Sequence, residues 1–100
     1  MSVSVSIIVP CYNVAAYLDQ CMESLTGQSM KDIEIICVND GSSDCTAEIL
    51  REWRNRDRRV RIIDQKNSGV SAARNSGMAA AAGTYIGFVD PDDMVERNMF

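Results

Sequence analysis

The chain has 100 residues, enough for one compact domain or a portion of a larger protein, and 46% of them are hydrophobic, enough apolar material for a real core. Its formal net charge of −4 argues against a nucleic-acid partner. The balance is uneven: six of the ten basic residues fall in REWRNRDRRVR (51–61), which reads as a solvated helix end and turn, with a patch for anionic lipid headgroups as the alternative.

In chain order, VSVSIIVP (3–10) reads as a strand, polar alternation giving way to a solid apolar run. AAYLDQCMESLTGQS then places Leu18, Cys21, Met22 and Leu25 at helical spacing, with Gly27 suited to the helix end. IEIICVN (33–39) is a second strand, β-branched and mostly apolar. SSDCTAEILREWRNR follows as a helix, with Ser43 or Asp44 as cap and Ile49, Leu50 and Trp53 on the inner face. VRIID (60–64) is a third strand. SGVSAARNSGMAAAAG (68–83) is helical in propensity, its small side chains suit close approach to a sheet, and Gly83 can supply a left-handed cap. TYIGFV (84–89) is a fourth strand, and MVERNMF begins what reads as another helix with no cap or breaker. The whole of 1–100 is therefore expected to be one domain, the first portion of a longer protein.

Strands alternating with helices imply an α/β fold: a parallel sheet with right-handed crossovers and helices on both faces. Cys11, Cys21, Cys37 and Cys45 form no C-x-x-C pair, and there is no histidine to complete a mixed zinc site. They read as reduced thiols of a cytoplasmic protein. The N-terminus lacks a signal-peptide pattern, and no apolar segment is long enough to span a bilayer.

In parallel sheets, ligands bind beyond the carboxyl ends of the strands. After the first strand, Tyr12 offers a flat face beside the Asn13 amide, either a base-stacking platform or a cover for the sheet edge. After the second, Asp40 precedes GSSD: a turn leading into a cap, or an acceptor for a base N–H or ribose hydroxyl. Arg74 lies in the first turns of the third helix. It either reaches solvent or faces the cleft to meet a phosphate or carboxylate. After the fourth strand, Asp90, Asp92 and Asp93 crowd together. One would suffice as a cap, whereas three suit a hard divalent cation whose remaining ligands are phosphate and water. Neither G-x-G-x-x-G nor a P-loop signature occurs. Together the four strand ends supply what a nucleoside diphosphate needs.

VSIIVPCYN, IICVNDGSSDCT, NSGVSAARNSGM and GTYIGFVDPDDM, in that order, resemble the family 2 glycosyltransferases of the Rossmann-like GT-A fold. The resemblance implies an inverting transferase using a nucleotide-diphospho-sugar, often a UDP-sugar, with Mg2+ or Mn2+, and a sheet of order 3-2-1-4. It implies that Pro10, Tyr12 and Asn13 line the base pocket and that Asp40 contacts base or ribose. Arg74 would fix the nucleotide, Asp90 would approach ribose or metal, and Asp92 would ligate the metal; Asp93 fits the acid that commonly follows. The general base and the surface for a glycan or lipid-linked acceptor are expected beyond Phe100. Donor binding with little turnover is thus the expectation for this chain, in a full-length protein that works in the cytoplasm or at the inner face of the membrane. A non-catalytic nucleotide-sugar-binding module is the alternative. A nucleotidyltransferase fits less well, because PCYNVAAY lacks a glycine-rich segment with a basic residue. An exposed sheet edge offers a surface on which a second copy can pair.

Overall fold

The computed structural model describes residues 3–28 and 32–91. Asp92, Asp93 and the expected helix from Met94 lie outside the described residues. The elements follow the expected order: β1 (Val5–Cys11), α1 (Ala15–Thr26), β2 (Ile33–Asp40), α2 (Thr46–Arg56), β3 (Val60–Gln65), α3 (Val70–Ala80) and β4 (Tyr85–Phe88). The four strands form one sheet in the order β3-β2-β1-β4, every pair parallel. Among the described residues no helix is long and apolar enough to cross a membrane.

Alternation along the central strands builds two cores. Ile7, Val9, Ile35 and Cys37 point to the face covered by α1 and α2, against Leu18, Met22, Leu50 and Trp53. Ile8, Ile36 and Val38 point to the other face, against Ala73 of α3. The expected inner faces of α1 and α2 are thus the buried ones. Cys11, Cys37 and Cys45 carry free thiols, and Cys11, Cys21 and Cys37 sit in the first core. The hydrogen bond with Cys11, and then burial, push the Cys37 thiol well above its ordinary pKa, so it stays protonated and unreactive.

The small side chains of α3 do let it lie close to the sheet. A Cβ added at Gly77 would fall 2.4 Å from Cγ2 of Ile8. Both ends of the helix are held by carboxylates of β2. At its carboxyl end the buried Glu34 accepts hydrogen bonds from Ser6 Oγ (2.6 Å), Arg61 Nη1 (2.8 Å) and the Ala82 amide (2.6 Å). Burial would raise the Glu34 pKa. The bonds from Ser6, Ala82 and Arg61, with the charge of Arg61, together outweigh it and hold the group below its ordinary value.

Gly83 does not cap α3, contrary to expectation. The helix ends at Ala80, and Ala81 is already extended (φ −69°, ψ 135°). The Ala80 carbonyl accepts from Arg61 Nη1 at 2.9 Å, so a guanidinium does the work of a left-handed cap. Gly83 is instead pressed on β1: its amide donates to Ser6 Oγ at 2.8 Å, and a Cβ there would meet the Ser6 amide at 2.7 Å. The basic run 51–61 is solvated as expected, with Arg51, Arg54, Arg56, Arg58 and Arg61 exposed, but three of its arginines also make specific contacts. Arg59 bonds Asp57 (2.8 Å) and the Thr26 carbonyl (2.7 Å), Arg61 bonds Glu34, and Arg56 lies 4.8 Å over the Trp53 ring.

Gly77→Ala should lower stability by about 1–3 kcal/mol in urea unfolding, because Cγ2 of a β-branched Ile8 cannot swing aside. The gain in helix propensity, about 1 kcal/mol, is too small to offset this. In an Ile8→Ala background the penalty should vanish. Additive effects of the two changes would contradict the close contact.

Candidate functional site

The turn after β1 is built by a polar knot. Asn13 takes a left-handed conformation (φ 51°), which asparagine tolerates better than most residues. Its Oδ1 accepts from the Ser43 amide (2.8 Å) and the Asp44 amide (3.3 Å), while its own amide donates to Ser42 Oγ (3.0 Å). Neither expected residue is the N-cap of α2, which is Cys45 and has no side-chain cap bond; Asp44, one residue earlier, accepts at Oδ1 from the Thr46 amide at 3.0 Å and its hydroxyl at 2.5 Å. Oδ2 reaches the Ala15 amide at 3.3 Å, so one carboxylate serves the first residues of both α1 and α2. The bond from the Thr46 side chain is the largest reason that the Asp44 pKa is lowered.

Beyond the carboxyl ends of β1 and β2 opens a cleft of about 300 Å³. Pro10, Cys11 and Tyr12 line it from β1 and the following turn, and Asp40 from the end of β2. Asn67 and Gly69 line it from the loop before α3, and Val70 and Ala73 from α3 itself. Tyr12 is half exposed, so an aromatic face is available there.

Asp40 is the buried polar centre of this cleft. Its Oδ1 accepts from Gln65 Nε2 and the Ser68 amide, and its Oδ2 from the Gly69 amide, each at 2.9 Å. Its backbone carbonyl accepts from Asn67 Nδ2 at 3.2 Å. The Gln65 bond is the largest influence on the Asp40 pKa; burial opposes it, the Ser68 and Gly69 amides add to it, and the net shift is downward. The positive end of α3 acts in the same direction. Gly41 makes the close approach possible. It adopts φ +71°, and a Cβ there would stand 2.6 Å from the Asn67 amide nitrogen.

Arg74 and Asp90 meet at the end of β4. Nη2 of Arg74 stands 3.8 Å from Oδ1 of Asp90, and the guanidinium lies 5.8 Å over the Phe88 ring. A pair this long and this exposed contributes little to stability. Arg74 Nε is buried without a hydrogen-bond partner. Pro10, Tyr12 and Asp40 are therefore brought together in the cleft, Arg74 and Asp90 pair outside its lining, and Asn13 uses its oxygen to build the turn behind it. Asp92 lies outside the described residues. Gln65, the last residue of β3, and Asn67, in the loop after it, were not legible in the sequence, since single amide side chains carry no distinctive spacing.

Among the described residues no three Asp, Glu or Cys side chains gather as a metal-holding group. Among the described residues, Asp90 offers an exposed carboxylate just after β4, a hard oxygen donor compatible with one protein ligand on a divalent cation.

A parallel sheet with helices on both faces and a cleft beyond its carboxyl ends defines an α/β protein of the doubly wound kind, which takes its ligand at that rim. The model for "Glycosyl transferase family 2" matches residues 6–100, and the chain belongs to that family. It is 55% identical over 96 residues to the uncharacterized glycosyltransferase EpsJ of Bacillus subtilis, covering 96% of this chain and 28% of EpsJ. It is 40% identical to chondroitin synthase of Pasteurella multocida, over 92% of this chain and 10% of that protein. Among solved structures, S. aureus TarS 1-349 in complex with UDP-GlcNAc superposes with a TM-score of 0.88 at 32% identity, covering 94% of this chain and 28% of that one. The chain thus spans little more than a quarter of EpsJ and of TarS 1-349. The GT-A fold and the 3-2-1-4 order expected from sequence are those found.

The lowered Asp40 pKa fixes a pH dependence. An unfolded aspartate titrates near about 3.9. Stability from the ionised form is complete above that pH and is lost as the pH falls through the lower, folded value. Asp40→Asn puts an amide against three N–H donors and should cost about 1–3 kcal/mol at pH 7 by urea unfolding. The gap to wild type should narrow below about pH 4. A gap unchanged from neutral to strongly acidic pH would contradict the ionised role.

Proposed function

We propose that these residues form the donor-binding part of a glycosyltransferase that takes a nucleotide-diphospho-sugar, with UDP as the nucleotide. The observation that carries this is the cleft, which pairs the half-exposed ring of Tyr12 with the acceptor-only carboxylate of Asp40 beneath the amino end of α3. The ring offers a stacking platform for a base. The carboxylate suits a base edge that donates an N–H, as uracil does. Likeness to a structure solved with UDP-GlcNAc supports the choice of donor.

Asp90, and Asp92 with it, would hold Mg2+ or Mn2+, and the bound cation would act as a Lewis acid on the charge that develops on the departing diphosphate. Arg74, beside Asp90, is placed to pair with phosphate oxygens once the donor enters. Inversion at the sugar requires a hydroxyl acceptor and a general base. We assign the general base and the acceptor-binding surface to parts of the whole protein outside these residues, and relatives that include chondroitin synthase favour a glycan acceptor.

Calorimetry with UDP and Mn2+ tests the proposal. Tyr12→Ala should weaken UDP by about 1–3 kcal/mol, the worth of one stacked base. Asp92→Ala should remove the Mn2+-dependent part of the affinity and leave the rest. If UDP fails to bind, or Tyr12→Ala binds as wild type does, the proposal is wrong.

A further inference from the structure

Gln65 lies beside Asp40 as its partner in the β2–β3 register, so both side chains project to the α3 face. Its amide is used at both ends. Nε2 donates to Asp40 Oδ1 at 2.9 Å, and Oε1 accepts from Ser76 Oγ of α3 at 2.6 Å. An ionised carboxylate can only accept, so the nitrogen must face Asp40 and the oxygen must face the serine hydroxyl. The result is a one-way relay from Ser76 through Gln65 to Asp40, joining α3, β3 and β2.

We propose that Gln65, its amide locked by Ser76, is the positioning residue that aims Asp40 and so sets which nucleobase the cleft accepts. The inference rests on the nucleotide-sugar reading above. Asp40 Oδ1 is filled by Gln65 and Ser68, whereas Oδ2 has the Gly69 amide as its protein donor and keeps one lone pair. That lone pair is the one left for a ligand. With the carboxylate pinned and ionised, it accepts from the imino N–H of uracil and repels the N3 lone pair of cytosine. Gln65 supplies the hydrogen bond that does most to keep the group ionised. Without it, Oδ1 keeps only the Ser68 amide, and the carboxylate, held by the two backbone amides alone, can tilt off the line to the base edge.

The test compares UDP and CDP affinities of the 100-residue chain with Mn2+ by calorimetry. Wild type should prefer UDP by about tenfold or more, the worth of one hydrogen bond to a charged group. Gln65→Met, close in shape but without the amide, should erase most of that preference while CDP affinity holds or rises. A merely structural defect would lower both affinities together. Ser76→Ala should give a partial loss and Ser76→Thr should restore selectivity; this pair decides the matter if Gln65→Met does not fold. If wild type prefers UDP, Asp40→Asn abolishes the preference, and the Gln65 and Ser76 variants keep it, the relay is refuted while the donor reading stands. If wild type shows no preference between the two nucleotides, the donor reading fails and the relay with it.

Discussion

Strand β2 carries a carboxylate at each end of an apolar pair, and the placement of α3 depends on that arrangement. On the α3 face β2 presents Glu34, Ile36, Val38 and Asp40. Six residues of strand span about 20 Å, whereas the helix runs about 16 Å, so a carboxylate stands beyond each helix end. At the amino end the macrodipole favours the negative charge of Asp40. At the carboxyl end the same dipole opposes Glu34. Arg61 relieves that conflict by donating from one nitrogen to both Glu34 and the Ala80 carbonyl. Between the two clamps the small side chains of α3 and Gly77 lie close on Ile8, Ile36 and Val38, which are fully buried. Polar anchoring at both ends thus adds to a close apolar contact between them.

The consequence for the cleft is direct. Its α3 wall stands where Asp40 holds the Ser68 and Gly69 amides, and its β1 wall ends in a turn that Asn13 and Asp44 tie to the start of α2. Two sets of local bonds, each closed by a side chain from another element, thus fix the rim before any ligand arrives. Pre-formed sites lose less free energy to ordering on binding. Arg74 and Asp90 differ. Asp90 is exposed and Arg74 partly so, and their pairing is loose, so nothing comparable fixes these two side chains.

Much of the fold was legible in the sequence because both faces of the sheet are buried, and near-continuous apolar runs announce such strands. The strand ends were legible on a separate ground, because parallel sheets gather ligands there, and Tyr12 and Asp40 do line one cleft. Glu34 was hidden because one acid in an apolar strand looks like noise, although its spacing of six from Asp40 puts both on one face. Gly83 misled because a glycine near a helix end suggests a left-handed cap, while here the limiting factor was close approach to Ser6. Gln65 and Ser76 meet only when β3 and α3 are folded together. Asn13 carried a polar side chain in the expected place, and nothing local told that its oxygen would turn away to the loop before α2.

Hydrogen exchange at the Ser68 and Gly69 amides measures the Asp40 clamp most directly. Both precede the first turn of α3, and loop amides without acceptors exchange freely. With Asp40 accepting from them, they should be protected as strongly as amides inside α3 and should open together with that helix. Exchange at the rate of an exposed loop, with α3 still protected, would mean that the carboxylate does not hold the helix in place.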